Sequence, residues 1–251
     1  MHKILANTTF LGKDLVNLTE CHSTNDVAIS MIKSGKFREG MVIVSGVQTR
    51  GKGQRSNTWI AEAGMNLTFS IVFQPCFLPV NQQFIFNMAI ANGVLSALQN
   101  LVSSIQIKWP NDFLDLNGSK LGGMLIENTI SGNLFDTSVV GIGINVNQLE
   151  FPFRNATSLA NLTGKTFNLE RLLGELLFFI EEEYLKLKNG AQDTIKETYL
   201  DNLYRFDEWA NYDDGEIFTG KILGIGPSGH LQMMKQNGKI QSYDLKQIKF
   251  I

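Results

Sequence analysis

Cysteine and histidine are scarce in this chain. The two cysteines, Cys21 and Cys76, have no C-x-x-C spacing. A disulfide framework is therefore not expected, and a reducing cytoplasm is the default setting. Three scattered histidines (His2, His22 and His230) give no metal-ligand spacing. Cys21 and His22 are adjacent, but side chains of neighbouring residues seldom converge on one atom, so the pair is read as coincidence. Long apolar runs are also lacking. Met41–Val44 and Leu176–Ile180 are the most apolar stretches, far short of the ~20 residues that span a bilayer. Residues 1–10 lack the uninterrupted apolar core of a signal peptide, so no membrane association is expected. Excess positive charge is absent too. A net charge of -2 offers no electrostatic footprint for nucleic acid or an anionic lipid surface.

What is present describes an ordinary globular chain: 251 residues, 43% apolar and 18% charged. That length suits one good core plus a small appended module. A helix is expected from Ser23, with Ser23 and Asp26 placed as a capping box and Gly35 as the stop. Met41–Val44 and Asn66–Phe73 read as buried strands, Phe84–Leu101 as a long apolar helix and Ile105–Trp109 as a short strand. Asn117-Gly118 signals a two-residue type I′ hairpin turn. Strands at Gly122–Ile130 and Phe135–Val146 follow, separated by residues 131–133. Helices are expected over Thr157–Leu162, Leu169–Leu187 and Ile195–Leu203, and short strands from Glu216 onward. The fold class is α+β, with a mixed-sheet domain over residues 1–206 and a small β-barrel domain over 207–251.

Some motifs mislead. Residues 224–229 spell GxGxxG, but a dinucleotide site needs the motif to open a helix. Pro227 lacks an N–H, and His230–Lys235 alternates like a strand, so a hairpin turn is the better reading. Gly164-Lys165-Thr166 looks like half a P-loop, yet Leu159 stands where the first glycine belongs.

Other segments carry more. Residues 49–59 place two glycines, three cations and a tryptophan directly after a buried strand. Such a loop can approach an anionic ligand closely, or it can be a solvated basic turn. Lys108-Trp109-Pro110-Asn111-Asp112 ends a strand in polar groups. It can line a site, or be a core tryptophan followed by a turn. Lys120 alone would be surface decoration.

Taken in order along the chain, these segments resemble the biotin protein ligase family. Ser23-Thr24-Asn25 resembles the family's Ser-Thr-Asn, and Gln48 with residues 51–59 resembles its Gly-Arg-Gly-Arg-x-Gly-x-x-Trp loop. Residues 108–112 match its Lys-Trp-Pro-Asn-Asp signature in full. Lys120-Leu121-Gly122-Gly123 resembles Lys-Leu-x-Gly, residues 141–145 match Gly-x-Gly-Ile-Asn, and Ala156-Thr157-Ser158-Leu159 is similar to a further stretch. The β-rich tail resembles the family's SH3-like C-terminal domain. Only 22 residues precede Ser23, too few for the winged-helix domain of bifunctional members, so a ligase without repressor function and without DNA binding is expected.

The resemblance implies a two-step reaction. Biotin attacks the α-phosphate of ATP to give biotinyl-5′-AMP and pyrophosphate, with Mg2+ assisting through ligands the sequence leaves unknown. A lysine of a carboxylase biotin-carrier domain then takes the biotin. Lys120, Lys52 and Asp112 are the implied catalytic residues. Ser23, Thr24, Asn25, Gln48, Gly51, Lys52, Lys120, Gly123 and Gly141 would bind biotin. Gly53, Gln54, Arg55, Trp59, Asn111, Lys120 and Asn145 would bind the nucleotide, with Trp59 stacking on adenine. Gln54 and Ser56 depart from the family's loop, where arginine and glycine stand, which makes leakage of the adenylate an expectation that neighbouring Arg55 can offset. A homodimer is expected by analogy.

Three rivals are weighed. A lipoate–protein ligase would carry an Arg-x-x-Gly-Gly-Gly stretch, which this chain lacks. A non-catalytic biotin or adenylate sensor would need no Lys120. A nucleic-acid module on the tail would rest on Lys221, Lys235, Lys239, Lys246 and Lys249, but no row of aromatics accompanies them.

Overall fold

The computed structural model describes residues 7–54, 57–245 and 247–251. Seven strands form the main sheet: β1 (Leu15–Cys21), β2 (Val42–Gln48), β3 (Leu67–Phe73), β4 (Gln106–Lys108), β5 (Asp112–Leu114), β6 (Lys120–Ser131) and β7 (Leu134–Ile144). Their order is β1-β2-β3-β7-β6-β5-β4, and only β1 and β2 run parallel. The sheet is therefore mixed, as expected.

Alternation along the strands sends successive side chains to opposite faces. On one face Leu67, Phe69, Ile71 and Phe73 of β3 join Val140, Ile142 and Ile144 of β7 in the main core. Three helices cover that face: α2 (Gln83–Gln99), α4 (Leu169–Lys188) and α5 (Gln192–Asp201). The opposite face is covered in part by α1 (Thr24–Lys33), whose Ala28 packs on Met41, Ile43, Val72 and Val139. Most of this second face beyond α1 stays open, and the site lies there.

Three local expectations are corrected. Ser23 does begin α1, but its side chain makes no capping hydrogen bond, and Asp26 pairs with Lys52 instead of closing a box. The stop at Gly35 holds: with φ +68 it donates to Ile32 O at 3.0 Å while Lys36 donates to Met31 O at 2.9 Å, the paired bonds of a Schellman ending. The turn at Asn117-Gly118 is not type I′, because only Gly118 has positive φ. Asp115 captures the backbone N–H groups of Asn117 and Ser119 at 2.9 and 2.8 Å, which holds Asn117 at negative φ and makes a three-residue loop with glycine in the left-handed position. Finally, β1 precedes α1 and was not foreseen.

A short α3 (Leu159–Thr163) starts where Ser158 Oγ accepts from Asn161 N–H at 3.1 Å. Its end at Gly164, φ +69, accounts for the false P-loop. The tail forms a separate antiparallel sheet of β8 (Trp209–Asp213), β9 (Ile217–Ile225), β10 (Leu231–Lys235), β11 (Ile240–Tyr243) and β12 (Lys249–Phe250), in the order β11-β10-β9-β8-β12. A separate antiparallel sheet is consistent with the SH3-like domain expected, although β8 begins earlier than Glu216. The literal GxGxxG is the turn between β9 and β10, closed by Gly226 N–H to His230 O at 2.9 Å.

Candidate active site

Register across the main sheet builds the floor of the site. Thr68 pairs with Gly143, Gly143 with Gly123, Gly123 with Asp112, and Asp112 with Lys108. Paired residues share a face, so these five residues form one lateral row on the open side, spanning about 19 Å at the usual strand spacing of ~4.8 Å. One row along, Ser70 pairs with Gly141 and Gly141 with Leu125. A cavity of about 590 Å3 lies over these rows.

The glycines are there because something sits directly on them. A Cβ on Gly141 would lie 2.4 Å from Asn25 Oδ1, and one on Gly143 would lie 2.5 Å from the Trp59 indole. Asn25 is locked in place: its Nδ2 donates to Glu127 Oε2 at 2.7 Å, and its Oδ1 accepts from Ser70 Oγ at 2.5 Å. Thr24 donates to Gln48 Oε1 from its backbone N–H at 2.6 Å and its hydroxyl at 3.1 Å. Ser23, Thr24, Asn25 and Gln48 thus form a polar end to the cavity, at the start of α1 and the end of β2.

At mid-floor Lys120 Nζ pairs with Asp112 Oδ1 at 2.7 Å. A Cβ on Gly123 would meet both groups, at 3.3 and 2.8 Å, so the missing side chain is what lets them meet over β6. The loop after β2 folds as a small hairpin. Lys52 bridges Thr58, Gly53 N–H donates to Asn57 O at 2.7 Å, and Trp59 N–H donates to Gly51 O at 2.9 Å. It lays Lys52, Gly53, Gln54 and Trp59 along the cavity wall. Lys52 is held by Asp26 of α1, and that hydrogen bond raises its pKa. Among the described residues the buried Trp59 Nε1–H has no partner, a donor kept from water and available to a ligand. Arg55 and Ser56 lie outside the described residues.

The far end of the cavity is closed by the tail. Leu245, Ile248, Lys249 and Phe250 line it, and Trp109 Nε1–H donates to Gly229 O at 2.9 Å, seating the β9–β10 turn. Lys108 Nζ stands 5.0 Å from the Phe250 ring centroid, and burial lowers its pKa.

Of the residues singled out from sequence, Ser23, Thr24, Asn25, Gln48, Lys52, Gly53, Gln54, Trp59, Asn111, Asp112, Lys120, Gly123 and Gly141 all line this one cavity. Asn111 is buried, its amide donating to Met124 O. Two residues do not line it. Gly51 lies within the loop hairpin, where a Cβ would lie 2.4 Å from Trp59 O. Asn145 is buried behind the floor, its amide donating to Thr157 O at 2.9 Å and Lys120 O at 3.4 Å. Sequence reasoning assigned no part in this site to Lys108, Thr68, Ser70 or the tail residues Leu245, Ile248, Lys249 and Phe250. Strand register would have pointed to the first three, and no local signal marks the last.

A mixed sheet whose open face holds a polar end, a central lysine–carboxylate pair and a glycine loop with cations defines a site for joining a carboxylate to a phosphorylated partner. The chain belongs to the biotin/lipoate A/B protein ligase family, whose model matches residues 18–145. It is 29% identical over 251 residues to the bifunctional ligase/repressor BirA of Bacillus spizizenii, covering 95% of this chain and 75% of that protein. It is 23% identical over 215 residues to the human biotin–protein ligase, covering 80% of this chain and 29% of that one. Its structure resembles that of the Aquifex aeolicus biotin protein ligase in complex with biotin and ATP, with a TM-score of 0.78, 26% identity, and 95% and 99% of the two chains covered.

Proposed function

We propose that this protein is an ATP-dependent biotin–protein ligase. The observation that carries the reading is the Lys120–Asp112 pair at the centre of the glycine floor, between a small polar end and a wall bearing Lys52 and Trp59. The polar end suits the ureido group of biotin, since Ser23, Thr24 and Gln48 offer hydroxyl and amide partners to a buried polar ring. The carboxylate of biotin then reaches Lys120. Two anions, that carboxylate and the α-phosphate, must approach each other, and a preorganised cation lowers the cost. A carboxylate oxygen attacks the α-phosphorus, and the bond to the bridging oxygen breaks. Pyrophosphate leaves with the electron pair, and biotinyl-5′-AMP remains. In the second step the neutral ε-amine of an acceptor lysine attacks the acyl carbon and AMP leaves. Asp112 releases Lys120 to the ligand and can take the proton from the incoming amine.

Trp59 and Asn111 serve the nucleotide; Asn145 supports that end by fixing the backbone of Lys120 and Thr157. Among the described residues no group of three or more His, Cys, Asp or Glu could hold a metal. Asp112, the carboxylate among the described residues that line the cavity, would suit a Mg2+ that arrives on the triphosphate, because Mg2+ commonly takes one or two carboxylates plus substrate phosphates. When bound, Mg2+ would neutralise charge on the leaving pyrophosphate.

The acceptor is the biotin-carrier domain of a carboxylase. No helix among the described residues is long and apolar enough to cross a membrane, and a cytoplasmic setting fits two free thiols at Cys21 and Cys76. The division at residues 206/207 and a homodimer belong to the same proposal. The test is to incubate the protein with ATP, Mg2+ and a purified carrier domain, offering biotin or lipoate, and weigh the carrier by mass spectrometry. A mass gain with biotin alone supports the reading. A gain with lipoate alone makes it a lipoate ligase, and none with either favours a sensor.

A further inference from the structure

The geometry points to Lys108 as a binding residue for the β- and γ-phosphates of ATP and for the departing pyrophosphate. The inference rests on the ligase reading and adds a residue to it.

Among the described residues four lysines line the cavity, and three are engaged with carboxylates. Lys52 pairs with Asp26, Lys120 with Asp112 at 2.7 Å and Lys249 with Asp213 at 3.4 Å. Lys108 makes no ion pair within 4 Å among the described residues; its ammonium stands 5.0 Å from the Phe250 ring centroid, and the nearby Asp112 carboxylate is already paired with Lys120. It is half-buried, and burial lowers its pKa; Asp112 offsets part of that cost, while Lys120 and Arg205 add to it. A lysine held partly out of water, with its nearest carboxylate engaged by another lysine, is costly. An anion delivered there by a ligand removes that cost.

The placement suits the triphosphate. Along the lateral row Lys108 lies next to Asp112, on the β4 side, while Thr24, Asn25 and Gln48 lie at the opposite end of the cavity. Lys120 stands between the two ends. If the biotin carboxylate and the α-phosphate meet at Lys120, the leaving group points either towards the biotin end or towards β4, and among the described lysines of the cavity the one without an ion pair of its own stands at the β4 end. β5 alone lies between β6 and β4, so two strand spacings separate them, about 10 Å, a distance that long lysine side chains and a chain of phosphates can bridge. Positive charge there acts where charge accumulates as the bridging bond breaks.

The experiment compares wild type with Lys108→Met, which keeps the stem against Phe250, and Lys108→Arg. Three readouts are needed: biotin-dependent ATP–pyrophosphate exchange, biotin affinity by calorimetry, and transfer from preformed biotinyl-5′-AMP to a carrier domain. The expected result is a rise of at least about tenfold in the KM for both ATP and pyrophosphate in Lys108→Met. Lys108→Arg should recover most of it, and biotin affinity and transfer from preformed adenylate should hold. An unchanged KM for ATP and pyrophosphate overturns the assignment. So does a loss confined to transfer, which would place the acceptor at Lys108. Loss of biotin affinity in a variant with lowered Tm would mean a merely structural role. Absence of exchange in wild type would sink the ligase reading itself, which separates the two failures.

Discussion

Replacing Gly141 with alanine tests the construction of the floor. The new Cβ would sit 2.4 Å from Asn25 Oδ1, 3.0 Å from its Cγ and 3.2 Å from its Nδ2. Asn25 is 3% exposed and cannot swing into solvent. Moving it stretches the bonds to Glu127 at 2.7 Å and Ser70 at 2.5 Å. Forced repacking costs about 1–3 kcal/mol, and a buried polar group left unpaired about 1–3 kcal/mol more. The combined loss is therefore about 2–6 kcal/mol if both occur. Chemical denaturation should show it as a midpoint lowered by about 1 M urea or more. Because Asn25 and Thr24 share the Ser70 hydroxyl, at 2.5 and 2.7 Å, the polar end shifts with it, and biotin affinity by calorimetry should fall at least about tenfold. A Gly141→Ala protein with wild-type midpoint and biotin affinity would refute the reasoning.

Glu181 of α4 accepts the backbone N–H groups of Thr9, Phe10 and Leu11, the last two at 2.8 Å. Glu181→Ala orphans all three and should cost about 2–4 kcal/mol, with faster hydrogen exchange at Phe10 and Leu11 and unchanged KM for ATP and biotin. Trp109→Phe keeps an aromatic ring, though a smaller one, and removes the donor to Gly229 O. It should cost about 1–2 kcal/mol, speed exchange at residues 226–230 and raise the KM for ATP, because the tail that closes the far end of the cavity loses its seat.

Much of this fold can be read locally, and what cannot is long-range or polar. The helix face of β3 and β7 is plain from alternating large apolar residues, and α2 from its unbroken apolar length. The strand β1, with Asn17, Thr19 and Glu20 on an edge, carries too few buried residues to stand out. Asn117-Gly118 misleads because the turn is decided by the Asp115 carboxylate, which a two-residue signal ignores. Asp26 looks like a cap until Lys52, distant in sequence, claims it. In the site, motif order points to Lys120, Asp112 and the polar end, but the register that puts Lys108 beside Asp112 needs the hairpin to be paired. The closure by Leu245, Ile248, Lys249 and Phe250 depends on how the tail docks on Trp109, which no local pattern encodes.

The central claim is that Lys120 carries the first chemical step for biotin. Pyrophosphate release should be measured with ATP, Mg2+ and biotin for wild type and Lys120→Ala, after circular dichroism has shown both to be folded. The account predicts biotin-dependent release in the wild type that falls by at least about a hundredfold in the variant. Equal release from the two proteins would contradict it.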